Sequence, residues 1–181
     1  MATKTKLNFR KKQWGKEVEK AFSVIQTKRL IAYAENQIDA IGDSISLYQS
    51  RNQMDRTGNL LDSLCWAVYY NGSLKSYNYY RNESAWGDSH LHEWSNPMGD
   101  VVNGHAMAQN FIATYQPTTS KGWEVFFAVL APYWGYWELK EGHINVKSGQ
   151  YQRWAVMTQY YDVIKQDLSP MRVTFNNYIP S

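Results

Sequence analysis

The chain has 181 residues, of which 44% are hydrophobic and 15% aromatic, with eight Trp and fourteen Tyr. That is enough apolar material for one folded domain of ordinary size with its own core. The formal net charge of +3 does not mark a global nucleic-acid binder, and a single cysteine, Cys65, excludes an internal disulfide or a cysteine zinc cluster.

Residues 1–15 read as a basic amino-terminal arm. Lys4, Lys6, Arg10, Lys11, Lys12 and Lys16 all precede the first acid, Glu17. Such an arm could touch DNA phosphates or an acidic neighbour, or remain a loose, solvated chain end. Residues 16–181 are expected to form a single α+β domain. No apolar signal-peptide core and no run near the ~18–20 residues that span a bilayer is present, so a chain made in a cytosol and soluble there, without membrane contact, is expected.

The spacing predicts a helix from about Lys16 to Arg51. Val18, Phe22, Ile25, Tyr33, Ile38, Ile41, Ile45 and Tyr48 recur at steps of three and four, with an occasional longer one. Gly42 is its weak point, where a kink is expected. At ~1.5 Å per residue the helix reaches roughly 50 Å, more than a domain this size can cover. Part of its apolar face therefore calls for another chain.

Residues 53–58 read as a turn, and Leu60–Tyr70 as a strand with Leu64, Trp66, Val68 and Tyr70 at period two. Asn71-Gly72 predicts a hairpin turn, with Ser76–Tyr80 as the returning arm. Residues 81–110 read as irregular, and Phe111–Tyr115 as a short strand. We treat 73–119 as an insertion or extended hairpin region. Trp123–Ala131 is apolar almost throughout, which predicts a strand buried on both faces. Tyr151–Leu168 reads as a second helix, ended by Ser169-Pro170, and Met171–Ile179 as a last strand. The expected architecture is two helices on one face of a small, mainly antiparallel sheet.

Candidate chemistry is sparse. His90 and His92 could bind a metal with His105, Asp88 or Glu93 completing the set, and a metal-dependent enzyme centred on His90, His92 and His105 is an alternative reading, but H-x-H is a weak signal and polar loop residues are the plainer reading. Glu138 and Glu141 among Trp134, Tyr136 and Trp137 would suit a sugar, and these tryptophans with Trp86 a glycan- or nucleic-acid-binding module. No nucleophile elbow, P-loop, dinucleotide fingerprint or H-E-x-x-H occurs. The sequence is read as that of a protein that is not an enzyme and needs no cofactor.

Two segments carry a resemblance. The first is Arg56-Thr57-Gly58-Asn59-Leu60-Leu61-Asp62-Ser63-Leu64, and the second Ala131-Pro132-Tyr133-Trp134-Gly135-Tyr136-Trp137-Glu138-Leu139-Lys140-Glu141-Gly142. After a long first helix, they resemble the T-G-x-L-x-x-S and A-P-Y-A-x-Y-x-E-x-G segments of the tail-completion (neck) proteins of tailed bacteriophages. Trp134-Gly135 and Trp137 depart from that pattern, and residues 73–119 are longer and more aromatic. The resemblance implies a structural virion protein at the head–tail junction, in a ring of copies, commonly six, between the connector or portal-side rings and the tail tube or hub. It makes Arg56, Thr57, Gly58, Leu60, Ser63, Pro132, Tyr133, Trp134, Tyr136, Trp137 and Glu138 candidate subunit contacts. Lys4, Lys6, Arg10, Lys11 and Lys12 would face DNA in the lumen.

Overall fold

The computed structural model describes residues 2–52, 59–80, 94–95, 101–131, 143–144, 151–152 and 156–169. The chain opens on one helix, α1 (Ala2–Asn52), of 51 residues. A single turn, α2 (Asn59–Asp62), leads into β1 (Leu64–Tyr70) and β2 (Ser73–Tyr79). Two-residue strands β3 (Trp94–Ser95) and β4 (Val101–Val102) pair with each other ahead of α3 (Gly104–Thr114). Then come β5 (Trp123–Val129), the paired β6 (His143–Ile144) and β7 (Tyr151–Gln152), and α4 (Val156–Asp167).

The main sheet is antiparallel in the order β2-β1-β5. Asn71 and Gly72 both have positive φ, 50° and 74°, as the predicted two-residue hairpin turn requires. Cys65 lies opposite Tyr79 and Tyr70 opposite Ser73, with one bulge between Val68 and Tyr69. On the other side β1 pairs with β5 from Leu64↔Val129 to Tyr70↔Trp123. The hairpin tip is tied to β5 by Asn71 N–H donating to Gly122 O and Gly122 N–H donating to Asn71 Oδ1, each at 2.8 Å.

The period-two alternation of β1 sorts its side chains between two helical layers. Leu64, Trp66 and Val68 join Val125, Phe127 and Val129 of β5 under α1, against Ala34, Ile38, Ile41 and Ile45. Met157 and Tyr160 of α4 close the same cluster, so the long first helix and the C-terminal helix share one face as expected. Cys65 faces the other way, with Phe126 and Ala128, onto Ala108, Ile112, Met107 and Phe111 of α3.

This second layer corrects the expected strand at Phe111–Tyr115. Asn103 caps α3, its Oδ1 accepting from Ala106 N–H at 2.9 Å, and Met107, Ala108, Phe111 and Ile112 recur at helical spacing on the sheet side. Five other expectations move. Leu60–Asp62 is helical, so β1 begins at Leu64, and α4 begins at Val156, after the short strand at Tyr151–Gln152. The strand buried on both faces is β1, which is central, while β5 is half-buried and borders the described sheet. Helix α1 starts at Ala2, so the backbone of the basic arm is helical, and Gly42 lies inside the unbroken helix. The expected turn at 53–58 and last strand at 171–179 lie outside the described residues.

Candidate assembly surfaces

Leu60 and Ser63, read from sequence as subunit contacts, are fully buried in the chain's own core. Ser63 is a polar clip. Its hydroxyl donates to Leu60 O at 2.8 Å and accepts from Leu130 N–H at 3.2 Å and Ala131 N–H at 3.0 Å. One side chain thus satisfies two backbone donors at the end of β5 that no sheet partner reaches. Beside it, Asn59 Oδ1 accepts from Gly104 N–H at 2.8 Å. A Cβ on Gly104 would lie 2.1 Å from Asn59 O, so only glycine lets α3 start this close to α2. Burial corrects the interface reading for Leu60 and Ser63: a subunit contact needs exposure, and these side chains have none.

Arg56, Thr57, Gly58, Pro132, Tyr133, Trp134, Tyr136, Trp137 and Glu138 lie outside the described residues, as do His90, His92 and Trp86. Of that trio His105 is the member among the described residues, exposed on the first turn of α3. Its ring meets Tyr79 edge-on at 4.7 Å and its Nε2 lies 3.0 Å from Gln109 Nε2. Among the described residues no group of three or more His, Cys, Asp or Glu is placed to hold a metal ion. Burial pushes the Cys65 thiol up to about 12, so it stays protonated and inert in the core.

Two surfaces stand out. One is a groove of about 560 Å³ between the β1–β2 hairpin and the end of α3, lined by Tyr69, Leu74, Tyr77, Tyr79, Tyr115 and Pro117 among others. Burial raises the phenols of Tyr69, Tyr79 and Tyr115, and the last also donates to Glu124. The groove therefore offers ring faces and protonated hydroxyls, suited to stacking and hydrogen bonding and not to proton transfer near neutral pH. Glu124 itself is saturated. It accepts from Tyr115 Oη, from Thr118 N–H and Oγ1 at 3.2 and 3.0 Å, and from Thr119 N–H at 2.9 Å.

The second surface is the amino-terminal half of α1. Its most forward ties to the sheet are Phe22, edge-on to Trp123, and Thr27, whose Oγ1 accepts from Trp123 Nε1 at 3.0 Å. The residues before Phe22 extend roughly 30 Å further. Trp14, Val18, Phe22 and Ile25 are 69, 47, 53 and 53% exposed. Steps of four, four and three put them on one side of the helix. Lys4, Lys6, Arg10, Lys11 and Lys12 belong to this projecting half. The stripe predicted to run unbroken along one face in fact changes sides. Val18 and Ile45 are 27 positions apart, about 7.5 turns, and so face opposite ways. Comparison with protein-family models, curated proteins and solved structures returned no match.

Proposed function

We propose that this chain is a structural subunit of a tailed-bacteriophage virion, a tail-completion protein that joins the head connector to the tail as one copy in a ring. The observation that carries the reading is the meeting of the two segments on which the resemblance rests. Ser63 is the last matched position of the first and Ala131 opens the second. They are 68 positions apart in the chain and joined by a 3.0 Å hydrogen bond. The serine of the motif thus has a physical task, holding the end of β5 where the following segment departs.

The projecting half of α1 supports assembly as the purpose. The core closes over residues 34–45 of the helix, yet the chain continues to an apolar row that stays largely exposed and meets the sheet at Phe22 against Trp123. In a ring, one patch meets a different patch on the next copy, and the connector and tail layers cover what remains. Six copies, placement at the head–tail junction and contact of the arm with packaged DNA follow from the resemblance and belong to the same proposal.

Electron microscopy of the purified protein, alone and mixed with the products of its neighbouring genes, tests this. Single or weakly associated molecules alone and rings in the mixture are expected. Molecules that stay single in the mixture overturn it. The tyrosine groove favours one second reading, a glycan- or nucleic-acid-binding module. A monomer whose ligand binding is lost in Tyr77→Ala would establish that instead.

A further inference from the structure

Helix α3 covers only part of its side of the sheet. Ala108 and Ile112 pack with Cys65, Phe126 and Ala128 of β1 and β5, while Tyr77 and Leu74 of β2 stay 48 and 42% exposed. The groove of about 560 Å³ is what this offset leaves between the hairpin and the end of α3. Tyr77 and Tyr79 meet edge-on at 5.9 Å, and Tyr69 and Tyr115 lie 5.6 Å apart, which gives two stacking platforms. Both are held by their own domain. Tyr115 also packs on Phe111 and Phe126 and donates to Glu124, and Tyr79 meets His105. A groove built of rings already fixed in place binds at little cost in side-chain ordering. Tyr77 pairs with Ala67, two residues before Tyr69. The platforms are therefore diagonal neighbours, roughly 7–8 Å apart. Along β2 the groove runs from Leu74 to Tyr79, ~17 Å at ~3.3 Å per residue.

Stacking alone admits bases and sugars as well as peptide, and the polar groups of the lining choose among them. None of the described residues lining the groove is Lys, Arg, Asp, Glu or His. A nucleic acid would find no cation for its phosphates. A sugar ring brings several hydroxyls, each with a proton to give, and the lining holds no carboxylate to receive them. An ordinary extended peptide carries an N–H at every residue and is held by pairing along a strand edge. This groove lies over the hairpin face, with Tyr69 of β1 and Tyr77 of β2 both in it. What the lining offers is ring faces with phenol and carboxamide donors, the latter from Gln109 and Gln116. A proline-rich segment matches it. Proline has no N–H, so the segment asks for donors to its carbonyls and flat surfaces for its rings. Aromatic-lined grooves are the established mode for such segments.

We propose that the groove between the hairpin and α3 binds a proline-rich segment of a partner protein in the polyproline II conformation. At ~3.1 Å per residue five or six residues fill its length. Two prolines three positions apart are then ~9 Å from each other, close to the spacing of the two platforms. None of the chain's five prolines is three positions from another, so no Pro-x-x-Pro occupant is found among its own residues. The inference does not rest on the tail-completion reading, because a ring subunit and a single molecule carry the same groove.

Capped decaproline is a soluble probe with that chemistry. It is titrated into the full-length chain by calorimetry at low and high salt, with maltohexaose and a thymidine decanucleotide in parallel. Saturable decaproline binding that salt leaves unchanged is expected, since no charge pair is involved. Tyr77→Ala should weaken it at least ~10-fold, as loss of an aromatic anchor does. Tyr77→Phe keeps the ring and loses the donor, and should cost about 3-fold. Ala113→Arg fills the groove from the exposed side of α3 and should also weaken binding at least ~10-fold. Tyr77 and Ala113 are both exposed, so circular dichroism and melting temperature should stay near the parent's and separate lost binding from lost fold. Absence of decaproline binding, or equal binding by Tyr77→Ala or Ala113→Arg, overturns the proposal. So does maltohexaose or oligonucleotide binding that is tighter than that of decaproline and lost in both variants. That result would give the groove to a glycan or a nucleic acid.

Discussion

At the scale of single residues, the polar interior is organised by side chains that serve several backbone groups at once. Glu124 is the clearest case. Burial pushes its carboxyl up, but hydrogen bonds from Tyr115, Thr119 and Thr118 outweigh that and hold it below the ordinary value of 4.5. A lowered folded-state value means stability that is present above about 4.5 and lost as pH falls below it. Glu124→Gln should therefore cost about 1 kcal/mol at pH 7, a modest figure because the group is partly solvated. The gap between variant and parent should narrow as the solution is taken below the ordinary carboxylate value. Urea denaturation at neutral and acid pH checks both points, and a pH-independent gap would remove the carboxylate from the account.

At the scale of elements, α1 and the sheet meet through a glycine. A Cβ on Gly42 would lie 2.3 Å from Cδ2 of Tyr80. The Tyr80 phenol donates to Asp43 Oδ1 at 3.0 Å and its N–H to Leu64 O at 3.0 Å, so the ring has little freedom to retreat. The expected weak point of the helix is instead where the end of the hairpin packs most closely on it. Gly42→Ala should destabilise by ~1–3 kcal/mol through overpacking. In a Tyr80→Ala background the same change should become neutral or stabilising by up to ~1 kcal/mol, the ordinary preference of a helix for alanine. Thermal or chemical denaturation of the four proteins gives the coupling, and additive effects would contradict the contact.

Helix α4 is held on α1 by polar ties as well as apolar ones. The Tyr160 phenol donates to Ala40 O at 2.9 Å and lies 2.9 Å from Ser44 Oγ, while Tyr33 donates to Asp167 Oδ2 at 3.1 Å. These contacts span residues 33–44 of α1, the part already engaged with the sheet. None reaches the exposed row from Trp14 to Ile25.

At the scale of the whole molecule, the protein is a closed domain with a rod. The sheet is covered by α1 and α4 on one face and α3 on the other, and the amino-terminal part of α1 projects from this body. Isolated helices of about twenty residues are marginal in water, so the projection should add little stability of its own. Deleting residues 2–20 should change unfolding free energy by less than ~1 kcal/mol while reducing the far-ultraviolet helical signal. A large drop in melting temperature would show that the rod packs on its own domain.

Several features were legible in the residues alone. Asn71-Gly72 demanded a two-residue hairpin, because few other pairs accept positive φ at both positions. The three- and four-residue steps of Ile38, Ile41 and Ile45, and the α+β class, likewise followed from local periodicity, which is written in neighbouring residues, whereas Ala34, and not the expected Tyr33, fills the next core position. Asn103 with the 107/108/111/112 spacing also signals α3, but the pattern is short, and the expectation divides it between the irregular segment 81–110 and a strand at Phe111–Tyr115.

Other features were decided by tertiary contacts. Which strand is central cannot be read from hydrophobicity: β5 is as apolar as β1, but only β1 has a described neighbour on each side and a helix over each face. Ser63, whose motif position suggested an interface, turned inward because Leu130 and Ala131 present backbone donors there. The change of sides along α1 is implicit in the 27-residue spacing of Val18 and Ile45, but which of the two sides is covered is decided by the sheet packed on it. Local pattern determined which segments coil and which extend. Burial, pairing and the choice between core and surface depend on residues distant in the chain, and only the folded arrangement brings those together.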